Sequence, residues 1–484
     1  MVYSVLVMLK LWNSLSRTRE AFGPLEDNSV RMYCCGPTVY ARAHIGNFRA
    51  YVVWDVLKRM LEHEGYSVTH CMNITDVGHL VGDSDEGEDK MLKAAREQGQ
   101  TAWEIAKTFE KLYIDDAKKL GIILPEPPLL CRATDHITEQ IKLIQLLEDK
   151  GYTYKITDGI YFDTSKFADY GKLSGQRLEE KQAGARVEAN PEKHNPSDFA
   201  LWKFSYPNGR DFDPNQDDES TRRQMEWESP WGLGFPGWHV ECSAMSKKYL
   251  GQPFDIHCGG VDHIPVHHEN EIAQSVAAYA VPLAEYWVHS EFLTVDSQKM
   301  SKSLNNFYTL DDCINRGIEP LALRYFYLGA HYRQKLNFTW EAAQASQSAL
   351  NKLRELSRTW VNPTDEKNDI NQGWNEKFFS ELRDDLNTPA ALGVMWEMVK
   401  SNIPTEQKSA TLKEWDKVLG LNLDQYIAQT VAIPENVKQI ASRRWEARNN
   451  KDWDTADALR MELENLGWSM EDSGTEYKLK PKIS

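Results

Sequence analysis

At 484 residues the chain is too long for one hydrophobic core, so roughly two to four domains are expected. Hydrophobic residues at 41% and charged residues at 26% are ordinary for a globular protein and exclude global disorder. The 56 Lys and Arg against 72 Asp and Glu leave a net charge of −16, which argues against nonspecific coating of nucleic acid but permits a local basic groove.

Seven cysteines, odd in number and irregular in spacing, argue against a disulfide framework. No run approaches the roughly 18 apolar residues of a membrane span. The opening MVYSVLVMLKLWNS has no basic leader and no small-residue cleavage site, so it reads as a first strand rather than a signal peptide. A cytoplasmic protein is expected.

Residues 30–40 read as a buried strand running into a Gly-Pro turn, and a loop holding His44, Gly46 and Asn47 then opens an amphipathic helix ending before Gly65. Such a unit suits a nucleotide phosphate. Free N–H groups of the first helical turn face an anion, Gly46 permits close approach, and His44 can donate a hydrogen bond. The same string also serves as a plain helix cap. Residues 66–79 form a second strand ending in Thr75 and Asp76, and 90–120 read as strongly helical. Repeated strand and helix order fits a mostly parallel sheet with its ligand crevice at the carboxyl ends of the strands.

A helix from 135 to about 150 and a hairpin turning at Asp158-Gly159 begin an insertion over about 130–205. The acidic stretch 211–230 reads as a solvated loop, after which 239–249 begin a helix carrying Cys242. The segment 254–280 is a strand, a diglycine loop and a helix. Gly259, Gly260 and Asp262 suit a ribose, because small residues admit the nucleoside and a carboxylate at a strand end accepts its hydroxyl hydrogens.

His267 and Glu271 lie four apart, on one helix face, so an imidazole and a carboxylate can converge on one ion, with Cys242 and the distant Cys35 as further candidates. Thiolate, imidazole and carboxylate are ordinary Zn2+ ligands. A solvated helix face that binds nothing is the other reading of the same pentapeptide. In KMSKSLNNF (299–307), Lys299 and Lys302 can bring two ammonium groups to a polyphosphate. After about 320 the chain turns helical, at 341–361, 374–400, 406–419 and 434–467, with Pro363 and Pro389 as interruptions and a closing hairpin at 471–480. Arg443, Arg444, Arg448 and Lys451, interleaved with Trp445 and Trp453, are the local candidate for gripping phosphate and stacking on unpaired bases.

His44-Ile45-Gly46-Asn47 together with Lys299-Met300-Ser301-Lys302-Ser303 resemble the paired signature of the class I aminoacyl-tRNA synthetases. More narrowly, Cys35, GWHVECSAM (237–245), HCGGVDHIPVHHENE (257–271) and YGKLSG (170–175) resemble the cysteinyl-tRNA synthetase family, over essentially the whole chain. The resemblance implies an α/β fold: a Rossmann-like catalytic domain in two halves, 1–130 and 206–320, around an inserted connective subdomain, 131–205. A stem-contact region and helical bundle, 321–430, and a small C-terminal anticodon-binding domain, 431–484, would follow.

The implied reaction is ATP-dependent formation of cysteinyl-adenylate with release of pyrophosphate, then transfer to the terminal ribose of tRNA(Cys). One Zn2+ on Cys35, Cys242, His267 and Glu271 is implied as the recogniser of the substrate thiol, with Cys34 turned to the opposite side of its strand. L-cysteine is expected near Cys35, Thr75, Trp238 and His267. ATP with Mg2+ is expected near Gly36, Thr38, His44, Gly46, Asn47, Gly260, Asp262, Lys299 and Lys302, of which His44, Asn47 and the two lysines carry catalysis. No membrane and a monomeric chain are expected. Two rivals are a ligase that passes activated cysteine to a small amino-sugar acceptor, which would lack the full anticodon module, and a noncatalytic RNA-binding zinc protein, which would not require every reaction group.

Overall fold

The computed structural model describes residues 8–77, 89–175, 190–217, 222–300, 304, 306–429, 433–474 and 476–481. The chain divides into two units, residues 1–347, 371–402 and 414–422 in one, and 348–370, 403–413 and 423–484 in the other.

In the first unit, β1 (Lys10–Asn13) and β2 (Thr18–Ala21) pair as an antiparallel hairpin, so the expected first strand stands outside the main sheet. Then come β3 (Ser29–Cys34), α1 (Ile45–His63), β4 (Ser67–Ile74), α2 (Lys90–Gln98), α3 (Ala102–Lys119), β5 (Leu130–Arg132) and α4 (Ile137–Asp149). The helical stretch 90–120 is broken in two. Gly99 closes α2 in the left-handed region at φ +64°, and Thr101 opens α3 through a capping box with Glu104.

The insertion supplies β6 (Thr153–Ile156), β7 (Gly159–Phe162) and β8 (Phe199–Phe204) of a four-stranded antiparallel sheet, and the fourth strand, β9 (Gly234–Pro236), comes from past the expected boundary at 205. Phe162, Phe199 and Leu201 of this sheet bury themselves with Ile144 and Leu147 of α4. The chain continues through α5 (Trp238–Leu250), β10 (Phe254–Gly260), α6 (His267–Tyr279) and β11 (Ala284–Ser290). Ala273 and Ala277 of α6 join the same core, which ties the insertion to the elements that carry the site.

The central sheet runs β11-β10-β3-β4-β5, parallel throughout. From β3 the chain proceeds outward to β4 and β5, and from β10 outward the other way to β11, so β3 and β10 flank the topological switch point. The crevice beyond their carboxyl ends is where such sheets hold ligands. β10 is buried along nearly its whole length, as a strand inside a parallel sheet should be, although it carries the polar Asp255 and His257.

A small sheet of β12 (Leu293–Val295), β13 (Gln298–Lys299) and β14 (Leu336–Phe338) follows, with α7 (Leu310–Asn315) and α8 (Pro320–Leu328). Arg324 of α8, fully buried, donates to Asp55 of α1 at 2.6 Å and to the Leu419 carbonyl at 2.6 Å, satisfying a guanidinium that burial alone would not permit. The stretch expected as 374–400 is two helices, Gln372–Arg383 and Thr388–Lys400, with Pro389 in the first turn of the second.

In the second unit, helices Glu435–Asn449 and Trp453–Asn465 pack with the hairpin β15 (Trp468–Ser473) and β16 (Glu476–Pro481) around Val437, Ile440, Leu459, Leu463 and Trp468. Asp452 accepts from the Thr455 N–H and starts the second helix, which divides the run expected at 434–467. Among the described residues no helix is long and apolar enough to cross a membrane.

Candidate active site

Cys35 follows the last residue of β3, and its N–H donates to the Cys258 carbonyl at 3.0 Å, which extends the β3–β10 pairing by one residue. Cys242 lies near the start of α5, and His267 and Glu271 stand one turn apart on α6. The donor atoms of these four side chains lie within 4.8 Å of one another. All four are buried, from 0% exposure for Cys242 and Glu271 to 3% for Cys35. Cys34 ends β3 facing its register partner Cys258, away from this group, and burial pushes its thiol pKa well up.

Glu271 bridges two imidazoles, 2.9 Å from His267 Nε2 and 2.9 Å from His257 Nε2. Burial opposes its charge, but the two histidines hold its pKa below the usual carboxylate range. His267 moves the other way: burial disfavours its cation, yet Glu271 and Cys242 raise it to about 10. Burial likewise opposes the Cys242 thiolate, but hydrogen bonds from Cys35 and His267 bring it down to about 6, while burial and its own bond to Cys242 push Cys35 well up. Two sulfurs, one imidazole and one carboxylate thus gather in a dry site where a proton on His267 supplies the compensating positive charge. That donor set fits Zn2+, whose charge would take over the compensation and release the proton.

The surrounding shell is dense in rings. Trp238 stacks on His267 at 4.2 Å and 18°. His239 Nδ1 lies 3.0 Å from His267 Nδ1, so both nitrogens of His267 are engaged. Cys35 Sγ is 3.2 Å from His268 Nε2, and His268 Nδ1 is 2.8 Å from His289 Nε2, which in turn reaches Ser14. Two more sets share Cys35 with the first: Cys35, His257, His268 and Glu271, and Cys35, His263, His267 and His268.

Beside the sulfur cluster, a chain of hydrogen bonds fixes Thr75. The Gly36 N–H donates to Asn73 Oδ1 at 2.8 Å, Asn73 donates to Thr75 Oγ1 at 3.0 Å, and Thr75 donates to Glu241 Oε2 at 2.9 Å. A Cβ on Gly36 would lie 1.7 Å from the Asn73 carbonyl oxygen, so only glycine fits there. Thr38 bridges to Thr75 in parallel register. Burial raises the Glu241 pKa well above the usual range.

At the start of the next helix in the chain after β3, His44 caps α1. Its Nδ1 accepts from the N–H groups of Gly46 at 3.0 Å and Asn47 at 3.3 Å, and the Asn47 side chain returns the favour to the His44 N–H at 3.0 Å. A Cβ on Gly46 would lie 2.9 Å from the His44 ring. Burial lowers the His44 pKa to about 4, against the pull of Asp262. The ring is therefore neutral at pH 7, and with Nδ1 accepting, its proton sits on Nε2 as a donor. Phe307 packs edge-on to His44 at 4.9 Å, and the Ile45 N–H donates to the Tyr308 carbonyl at 2.9 Å, so the segment after the lysine loop abuts the start of α1. Lys299 is exposed on β13; Lys302 lies outside the described residues. Asp262 is exposed and Gly260 half-buried at the end of β10.

Sequence reasoning passed over His239, His257, His263, His268, His289, Asn73 and Glu241. One signal was present: six of the 13 histidines fall between 239 and 289. The basic segment at 443–451, which runs past the end of helix Glu435–Asn449, is only partly available. Arg444 is buried and forks onto Asp472 at 2.6 and 3.0 Å, and Arg448 takes the same carboxylate at 2.6 Å.

The fold and the switch-point site define a class I aminoacyl-tRNA synthetase. The methionyl-tRNA synthetase of Mycobacterium tuberculosis in complex with methionyl-adenylate has this fold at a TM-score of 0.54 and 15% identity, covering 88% of this chain and 96% of that one. The family model for the tRNA synthetases class I (C) catalytic domain matches residues 21–348, the DALR domain 377–424, and the cysteinyl-tRNA ligase anticodon binding domain 430–477. A cysteine–tRNA ligase 1 of Burkholderia lata is 49% identical over 472 residues, 97% of this chain and 96% of that protein. A cysteine–tRNA ligase of Thermococcus gammatolerans is 38% identical across 97% of this chain and 99% of its own length. The chain belongs to the cysteinyl-tRNA synthetase family.

Proposed function

We propose that this chain, a cysteine–tRNA ligase by family, activates L-cysteine at the β3–β10 switch point and charges tRNA(Cys), with the thiol read by zinc on Cys35, Cys242, His267 and Glu271. The observation that carries this reading is the convergence of those four donors within 4.8 Å in a site closed to water. Bound there, zinc would supply a borderline-soft Lewis acid that favours a substrate thiolate over the hydroxyl of serine, which pocket size alone cannot exclude.

The chain's own residues do the rest. Trp238, stacked on His267, walls the side-chain pocket, and Thr75 presents a hydroxyl whose proton is already given to Glu241, so it meets the substrate as an acceptor. The substrate carboxylate attacks the α-phosphorus of ATP, and pyrophosphate leaves. His44 donates from Nε2 to the α-phosphate region, and the N–H groups at the start of α1 add their dipole. Asn47 supports that cap, and Gly36, Thr38, Gly46, Gly260 and Asp262 shape the nucleotide's approach. Lys299 and Lys302 hold the departing pyrophosphate, with Mg2+ accompanying ATP. A neutral ring whose Nδ1 accepts backbone N–H groups is a donor, which leaves the adenylate phosphate as the base for the attacking ribose hydroxyl.

The two catalytic halves 1–130 and 206–320, the insertion 131–205, the stem-contact region 321–430 and the anticodon domain 431–484 are the working divisions of a single cytoplasmic polypeptide. The anticodon-domain match at 430–477 favours tRNA over a small amine acceptor. Cysteine-dependent ATP–pyrophosphate exchange, compared with serine and followed by charging of unfractionated tRNA, tests the reading. Exchange with cysteine and no charged tRNA overturns the acceptor; no exchange with zinc and magnesium added overturns the activation chemistry.

A further inference from the structure

Seven side chains make up the three overlapping metal-binding sets, and six of them are buried. The exception is His263, half-buried on the turn after β10, and its Nδ1 has no hydrogen-bond partner. A buried ring nitrogen left unpaired is unfavourable unless something else uses it. The ring is held in place by contacts on three sides: edge-on to Trp238 at 6.0 Å, to His267 at 5.0 Å and to His268 at 5.1 Å. The backbone makes room for it. A Cβ on Gly259 would lie 2.9 Å from His263 Nδ1 and 2.4 Å from His268 Cε1, so glycine at the end of β10 is what lets both imidazoles converge over the strand.

The set that includes His263 shares Cys35 and His267 with the buried Cys35, Cys242, His267 and Glu271 set. We propose that Cys35, His263, His267 and His268 form a second, outer metal position through which a divalent ion reaches the buried set. The proposal rests on the zinc reading above. An ion arriving from solvent meets His263 first, because it is the most exposed member of the three sets, half-buried where the other six are buried. From there it moves inward by exchanging His263 and His268 for Cys242 and Glu271 while Cys35 and His267 stay bound, so it is never stripped of all protein ligands at once. Stepwise exchange of this kind lowers the barrier in both directions and leaves the final affinity to the inner ligands.

The test is kinetic and uses the full-length chain. Zinc release from the loaded protein to a colorimetric chelator and zinc uptake by the stripped protein are timed for wild type, His263→Leu and His263→Gln. Both variants are expected to slow release and uptake together by about tenfold or more, while affinity from chelator competition stays within about threefold. Unchanged rates overturn the proposal, and so does an affinity that falls as far as the rates, which marks His263 as an ordinary ligand or a packing residue. In a Cys242→Ser background the inner set is broken, and Co2+ is expected to bind at one per chain, weakened, through the outer set; adding His263→Leu should remove it. Equal Co2+ binding in the single and double variants overturns the outer position. A wild-type chain that takes up no zinc overturns the zinc reading as well, which separates the two failures.

Discussion

The two ends of the switch-point crevice are built on opposite principles. At the end proposed for the thiol, Cys35, Cys242, His267 and Glu271 are at most 3% exposed, and Cys35, His267 and Glu271 are each held by a ring or carboxylate beside them. At the end proposed for the phosphates, His44 is half-buried, Asn47, Asp262 and Lys299 are exposed, and the main fixed contacts are the helix cap and the Ile45–Tyr308 hydrogen bond. Discrimination between sulfur and oxygen needs a dry, preset ligand field, whereas a polyphosphate needs charges that admit it, close on it and let pyrophosphate leave. Rigidity at one end and access at the other follow from the two tasks.

The largest effect should come from the dry end. Cys242→Ala is expected to lower cysteine-dependent pyrophosphate exchange and zinc affinity by more than about 100-fold, beyond the range of losses typical of groups that only support a ligand. Full exchange from a zinc-free Cys242→Ala protein would break the contrast outright. His239→Ala, which removes the partner of His267 Nδ1, should cost about 10- to 100-fold in zinc affinity with the stoichiometry intact at saturating metal.

The open end should show up in rates. Lys302→Ala is expected to lower kcat about 100-fold while changing the KM for ATP far less, because a charge that acts on the leaving pyrophosphate is used mainly in the transition state. His44 adds a pH signature. Its folded pKa of about 4 lies below the unfolded value near 6.5, so the folded state binds fewer protons between them. Its contribution to stability is therefore complete above about pH 6.5 and is lost as pH falls through about 4. Wild type should lose more thermal stability than His44→Asn between pH 7.5 and 4.5. Parallel losses would mean that folding leaves the pKa of the ring unshifted.

Much of the fold was legible because its signals are local. The strand, loop and helix units at 30–65 and 254–280 carry their own periodicity, and the switch point follows from their parallel pairing. The break at Gly99 was written in the sequence too, as a glycine followed by Thr101 and Glu104, but the helical periodicity on either side outweighed it. What stayed hidden depends on convergence. His257 reads as an interior strand residue until α6 brings Glu271 to within 2.9 Å of it, and His263 reads as a loop residue until Gly259 lets two rings share one space. No spacing rule anticipates Asp472 either. It lies 28 residues from Arg444 in sequence and takes two guanidiniums that the sequence offers to RNA.

That last pairing yields the smallest effect and a direct test of how the basic helix works. Arg444 is buried against Asp472, so Arg444→Ala removes the two-pronged partner of that carboxylate and should destabilise the second unit, read as an earlier melting step. Arg443 on the same helix is exposed, and its side chain is free to meet phosphate. Arg443→Ala should raise the KM for tRNA only a few-fold, reduce the salt dependence of tRNA binding by about one counterion, and leave pyrophosphate exchange untouched. If Arg444→Ala instead weakens tRNA binding with no change in melting, the Asp472 pair is an arm that opens toward RNA rather than a brace, and the helix presents one more cation than its resting contacts show.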